Sequence, residues 1–168
     1  MRNLILTGFM GTGKSTVGKI LAERLVFRYC DLDAQIVAET GLTINEIFSR
    51  YGEEHFRSLE TDRIRALANS VGFVVSTGGG AVIAAINRRL LHEAGVVINL
   101  TASTDAILDR LRGECERPLF HRNRSPEAVA AMLAEREPFY ADADLRIDTT
   151  GKTVEDVVAE ILRFIEGR

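Results

Sequence analysis

Gly8-Phe9-Met10-Gly11-Thr12-Gly13-Lys14-Ser15-Thr16 is the stretch from which the rest of the 168-residue chain can be read. It follows the short apolar run Leu4-Ile5-Leu6 and leads into Val17, Ile20, Leu21 and Leu25, which recur at helical spacing. Strand, glycine turn and helix in that order are the setting of a phosphate-binding loop. Glycines let several backbone N–H groups converge on phosphate oxygens, and the helix N-terminus adds the positive end of its dipole. The spacing of Gly8, Gly13, Lys14 and Ser15 satisfies Gly-x-x-x-x-Gly-Lys-Ser/Thr. In that pattern the lysine brings a point charge to the outer phosphates and the hydroxyl serves as a Mg²⁺ ligand. The bland alternative is a glycine-rich turn with no ligand. The loop points to nucleotide phosphates and leaves the second substrate open.

The whole chain narrows the choice. Its length fits one domain, 1–168, because a domain of this size buries about 70% of its unfolded surface. With 46% hydrophobic and 27% charged residues, the composition is that of an ordinary α/β protein. A net charge of −3 argues against nucleic acid or an acidic membrane surface as partner, since both need a broad basic field. An anionic substrate must then be held by local arginines. Cys30 and Cys115 form no Cys-x-x-Cys pair, and His55, His92 and His121 have no ligand spacing. No apolar run reaches membrane-spanning length, and the few residues before Gly8 are too short for a signal-peptide core. The expectation is a cytoplasmic monomer.

Beyond the loop, strands and helices alternate. Phe27 to Cys30 reads as a second strand ending in Asp31-Leu32-Asp33, which sets two carboxylates at the strand's C-terminal end, where open α/β sheets hold ligands. Either aspartate could equally cap a helix. Thr43 and Glu46 have capping-box spacing and open a short helix that Gly52 can close. A longer helix follows with Phe56, Leu59, Ile64, Leu67 and Ala68 inward. Phe73 to Ser76 is a buried strand that delivers Thr77 and Gly78-Gly79-Gly80 to the same sheet edge. It ends in serine where many such enzymes place a Mg²⁺-binding aspartate, so attention turns to Asp31.

Asn87 to Glu93, Thr104 to Leu111, a helix restarted by Ser125-Pro126 and a final one from Thr153 surround two more strands, Val96 to Leu100 and Leu145 to Asp148. Gly113 to Arg124 is polar, arginine-rich and without an apolar period, and it reads as a lid spanning about 112–124. The alternation predicts a parallel sheet covered on both faces, a three-layer α/β/α architecture.

The ordered set Gly8 to Gly18, Asp31-x-Asp33, Gly52-Glu53-x-x-Phe56-Arg57-x-x-Glu60, Gly78-Gly79-Gly80, Arg117-Pro118-Leu119 and Arg136-x-Pro138-x-Tyr140 resembles the shikimate kinase family over nearly the whole chain. The resemblance implies the P-loop kinase fold with a lid, a five-stranded sheet in the order 2-3-1-4-5, and substrate-binding helices over about 33–60. It further implies a phosphotransferase that moves the ATP γ-phosphoryl group to the 3-hydroxyl of shikimate, in the pathway to chorismate and the aromatic amino acids. Carried over by position, Gly11, Thr12, Gly13, Lys14, Ser15 and Thr16 would hold ATP phosphates. Ser15 would ligate Mg²⁺ directly, and Asp31 and Ser76 would reach it through water. Asp33 would bind the shikimate hydroxyls, Arg57 and Arg136 its carboxylate, and Gly78, Gly79 and Gly80 its ring through the backbone. Arg117 would come from the lid to the γ-phosphate, with Arg110 and Lys152 near the adenine.

The residue types agree with that chemistry. A carboxylated polyol calls for planar cationic forks, hydroxyl acceptors and close backbone approach. Lys14, Asp33 and Arg117 are the expected catalytic set, with Asp33 first an orienter of the attacking hydroxyl and second a proton acceptor. Arg57 has a bland alternative as a surface residue paired with Glu60 one turn on. Rival readings are a gluconate-type sugar-acid kinase, a nucleoside monophosphate kinase, and a GTP-dependent switch using Asp148-x-x-Gly151. The switch lacks an Asn-Lys-x-Asp guanine signature.

Overall fold

Every residue of β1, Asn3–Thr7, is buried, because it is the middle strand of five. The computed structural model describes residues 2–112 and 125–168. In chain order the elements after β1 are α1 Lys14–Leu25, β2 Arg28–Asp31, α2 Leu32–Thr40, α3 Ile44–Leu67, β3 Phe73–Ser76, α4 Ala85–Ala94, β4 Gly95–Thr101, α5 Thr104–Leu111, α6 Pro126–Tyr140, β5 Leu145–Asp148 and α7 Val154–Glu166. The strands pair in parallel in the order β2-β3-β1-β4-β5, as the sequence led us to expect.

Alternation along β1 divides the core. Leu4 and Leu6 face α1 and α7 through Val17, Leu21, Val157, Val158 and Ile161. Ile5 faces α3 to α6 through Ile64, Leu91, Ile107 and Val129. Ile36, Ile47 and Phe56 form a third cluster that joins α2 to α3. Side chains cap the helices where the sequence indicated: Thr43 with Glu46 and Thr153 with Asp156 are full capping boxes, and Ser125 caps α6 ahead of Pro126.

One expectation needs correction and two are refined. The residues from Leu32 to Thr40 form a helix that apolar spacing alone did not reveal, with Asp31 as its N-cap accepting from the Ala34 N–H. Gly52 ends the short first helix as expected, with φ 85° and ψ 169°, and the longer helix resumes at once across a kink of one residue. Ala68 is exposed because it is the C-cap, past the last inward turn of α3. The expected lid lies outside the described residues, apart from Arg112 at the end of α5, and so does Arg117.

The α1 C-terminus holds a strained position. Val26 sits at φ 56° and ψ 39° with its N–H bonded back to Glu23, while Phe27 bonds to Ala22, a Schellman arrangement whose left-handed residue is β-branched and 92% exposed. That conformation costs an L-residue about 1–2 kcal/mol, part of which a glycine returns through its looser unfolded chain. Val26→Gly is expected to stabilise the protein by about 0.5–1 kcal/mol, read as a higher urea midpoint. An unchanged or lower midpoint would show that the position carries no strain.

Candidate functional site

The C-terminal ends of β1, β3 and β2 deliver the loop, the glycine triplet and the paired aspartates to one edge of the sheet. Asp31 and Ser76 are register partners, as are Leu6 and Ser76. The order of strands thus brings together residues that lie far apart in the chain.

Gly8 shows why the loop needs glycine. Its φ is 141°, and a Cβ there would lie 2.3 Å from the Leu100 carbonyl oxygen of β4 and 2.9 Å from Thr12 Oγ1. Lys14 is buried at the start of α1, and its ammonium donates to the Gly8 and Phe9 carbonyls at 2.8 and 2.9 Å, so its charge is held inside the loop. Thr12 is buried, Ser15 half-buried and Thr16 exposed. Arg110 braces the loop from α5, donating to the Gly11 carbonyl and to both the hydroxyl and the carbonyl of Thr149. Lys152 lies in the turn after β5, where its amine is paired with Glu160 of α7 at 2.6 Å.

Beside the loop lies a cavity of about 250 Å³ whose lining includes Asp33, Arg57, Glu60, Gly78, Gly79, Gly80 and Arg136, with Met10, Phe48 and Phe56 as apolar wall. It is smaller than the roughly 300–1,000 Å³ common for drug-sized ligands, which suits a compact polar acceptor better than a nucleotide. Asp33, in the first turn of α2, and Glu60 of α3 converge on the glycine triplet. A Cβ on Gly78 would lie 3.0 Å from both Asp33 Oδ1 and Glu60 Oε1. Gly80 leaves room for Arg57, whose Nη2 would be 2.3 Å from an added Cβ. Arg136 comes from α6, only 8% exposed, with its guanidinium carbon 5.5 Å from the Phe9 ring centroid.

The pairing of Arg57 with Glu60 is present, but its setting differs from the one expected. Arg57 Nη1 donates to Glu60 at 2.8 Å, but Glu60 is fully buried, so the pair is not a surface one. Burial pushes the Glu60 carboxyl up to about 7, against the pull of the Arg57 guanidinium, with Asp33 adding to the rise and Arg136 opposing it. Its Oε1 is buried with no hydrogen-bond partner among the described residues.

A candidate cation site adjoins the cavity at Asp31, which also lines it. Tyr29 has a hydroxyl 3.5 Å from Asp31 Oδ2 that also interacts with Ser15 and Ser76, so these three oxygen-bearing residues converge on one point. Hydroxyl and carboxylate oxygens are hard donors of the kind Mg²⁺ takes. No cluster of three or more His, Cys, Asp or Glu residues exists among the described residues, so any protein cage for a metal is sparse and leaves room for water and phosphate.

Sequence reasoning gave no role to Tyr29 or Tyr140, and Glu60 entered only as a surface partner of Arg57. Glu60 and Tyr140 stood in the quoted motifs, which was the one available signal. The Asp148-x-x-Gly151 reading fails on topology, because β5 is the sheet edge beyond β4 and Asp148 binds the Thr150 N–H in its own turn. Among the described residues no helix is long and apolar enough to cross a membrane.

A family model described as shikimate kinase matches residues 10–166. The chain is 64% identical over 168 residues to the shikimate kinase of Geobacter metallireducens, covering 100% of this chain and 94% of that protein. To the shikimate kinase of Geobacter sulfurreducens it is 65% identical over 164 residues, covering 98% and 91%. Among solved structures it superposes on the shikimate kinase from Acinetobacter baumannii in complex with shikimate with a TM-score of 0.94 and 35% identity, covering 99% of this chain and 94% of that one.

Proposed function

The chain belongs to the shikimate kinase family, and from that premise we propose that it transfers the γ-phosphoryl group of ATP to the 3-hydroxyl of shikimate, giving shikimate 3-phosphate on the route to chorismate and the aromatic amino acids. One observation carries the reading: Arg57, Arg136, Asp33 and the glycine triplet face a small cavity directly beside the phosphate loop. Two guanidinium forks suit a carboxylate, the aspartate suits ring hydroxyls, and the backbone of Gly78 to Gly80 permits close approach. Ser15, with Asp31 and Ser76 close by, would hold Mg²⁺, which when bound would supply positive charge against the phosphates.

Phosphoryl transfer of this kind depends mainly on positioning and charge. Asp33 orients the attacking hydroxyl and stands ready to accept its proton. Gly11 to Thr16 cradle the phosphates, and Lys14 counters negative charge that builds on the transferring group. Arg117 is kept, by its sequence position alone, as the arginine directed to the γ-phosphate, and Arg110 and Lys152 as neighbours of the adenine. We further propose that the chain works as a single-domain monomer in the cytoplasm, a reducing compartment that suits the free, buried Cys30.

The test supplies Mg-ATP with shikimate, gluconate or a nucleoside monophosphate and records ADP release. Preference for shikimate is expected, and preference for either other acceptor would overturn the proposal.

A pH dependence accompanies it. A substrate carboxylate at Arg57 adds a second anion near Glu60 and favours its protonated form, so binding takes up a proton at and above pH 7. Shikimate affinity is expected to fall as pH rises through about 7, by up to about tenfold per pH unit, and Glu60→Gln should flatten the profile. Titration of shikimate across pH 6 to 9 on both proteins checks this. The stability sign follows from the same shift: the cost of ionising Glu60 is absent below the usual carboxylate range and grows as pH rises towards about 7.

A further inference from the structure

Tyr140 is buried at the last position of α6, and its hydroxyl donates to the Gly79 carbonyl at 2.6 Å, across 61 residues of chain. Burial raises its pKa, so the phenol keeps its proton and acts as the donor. Arg136 lies four residues earlier on the same helix face. Its guanidinium pulls the Tyr140 pKa back down, and a Cβ on Gly79 would lie 3.5 Å from Arg136 Nη1. The Tyr140 hydroxyl, from behind, and the Arg136 guanidinium therefore both meet Gly79, which with Arg136 lines the cavity.

A run of three glycines has more backbone freedom than any other tripeptide, so its N–H groups are aimed only if something fixes the peptide planes. The Gly79 carbonyl and the Gly80 N–H belong to one planar trans peptide and point in opposite directions. Holding the carbonyl towards α6 turns the Gly80 N–H away from it.

We infer that Tyr140 is a positioning residue for the acceptor: its hydroxyl locks the Gly79–Gly80 peptide and the Arg136 guanidinium into one arrangement, so that carboxylate capture and backbone contact with the ring form together. The inference rests on the proposed acceptor site. A purely structural tyrosine would contribute to the core and leave the balance between the two substrates unchanged.

Tyr140→Phe keeps the ring and removes only the hydroxyl. In the full-length protein, KM for shikimate is expected to rise about five- to tenfold, the size of one lost hydrogen bond. KM for ATP and kcat at saturating shikimate should stay within about twofold, since neither depends on aiming that peptide. In a cycle with Arg136→Lys, the two effects on KM should fall short of multiplying, because both act on one arrangement. A lowered Tm with unchanged KM for shikimate, equal rises in both KM values, or simple multiplication in the cycle would overturn the inference. If the wild-type protein prefers another carboxylated acceptor, the function proposal fails on its own, and the same comparison is made with that acceptor.

Discussion

Lys14→Met will lower kcat by about 10²–10³-fold, equivalent to about 3–4 kcal/mol of lost transition-state stabilisation. The substitution keeps an unbranched apolar stem of similar length and removes the charge. In the structure that charge is buried, held by the Gly8 and Phe9 carbonyls at the mouth of the loop. A cation fixed in a site shielded from water acts on developing phosphate charge without having to reorganise, which is where such a group is worth most. Steady-state ADP release, with Tm measured in parallel, separates the catalytic loss from unfolding. A kcat within about threefold of wild type, from a folded protein, would remove this amine from phosphoryl transfer.

Gly80→Ala will raise KM for shikimate by about 10²-fold while leaving KM for ATP nearly unchanged. The new methyl carbon would lie 2.3 Å from Arg57 Nη2, 2.7 Å from Cζ and 2.8 Å from Nη1, so the guanidinium must leave. On its other side is Glu60, fully buried and bonded to it at 2.8 Å. Moving Arg57 breaks that pair and strands a buried carboxylate, a disruption of about 3–5 kcal/mol when the carboxylate stays ionised. Protonation of Glu60 softens that penalty at low pH, so the variant's loss of stability should be greater at pH 8 than at pH 6. Calorimetric titration of shikimate and of ATP checks the selectivity. Unchanged affinity for shikimate would mean that Arg57 does not hold its carboxylate.

Much of this architecture was legible in the chain because its signals are local. The apolar run before Gly8, the capping boxes at Thr43 and Thr153, and the cap and proline at Ser125 and Pro126 each act within a few residues, and each marks a boundary in the structure. Phe73–Ser76 was readable as a strand because a parallel strand covered on both faces is a short apolar run between turns, and Leu145–Asp148 because an edge strand alternates apolar with polar residues. The helix from Leu32 to Thr40 was expected only through the resemblance, since its single buried stripe, Leu32 and Ile36, is too short to establish a period.

The candidate site was legible in the residues that line its cavity and not in their supports. Glu60 looked like half of a surface pair because its burial depends on α3 meeting the glycine triplet. Tyr140 gave no sign of its partner because Gly79 is 61 residues away. Tyr29 sits mid-strand, and only the pairing of β2 with β3 brings it towards Ser76 and Ser15.

Asp31 divides its two oxygens between separate tasks. Oδ1 receives the Ala34 N–H and so anchors the start of α2, while Oδ2 is turned towards the Tyr29 hydroxyl and the serines beside the loop. The helix anchored in this way carries Asp33 in its first turn. Substitution at this one position is therefore constrained by the fold and, under the proposed function, by the ion that the carboxylate would help to hold. Asparagine would satisfy the first demand as well as aspartate does and meet the second poorly. A change that loses the cap would loosen the first turn of α2 and with it the placement of Asp33.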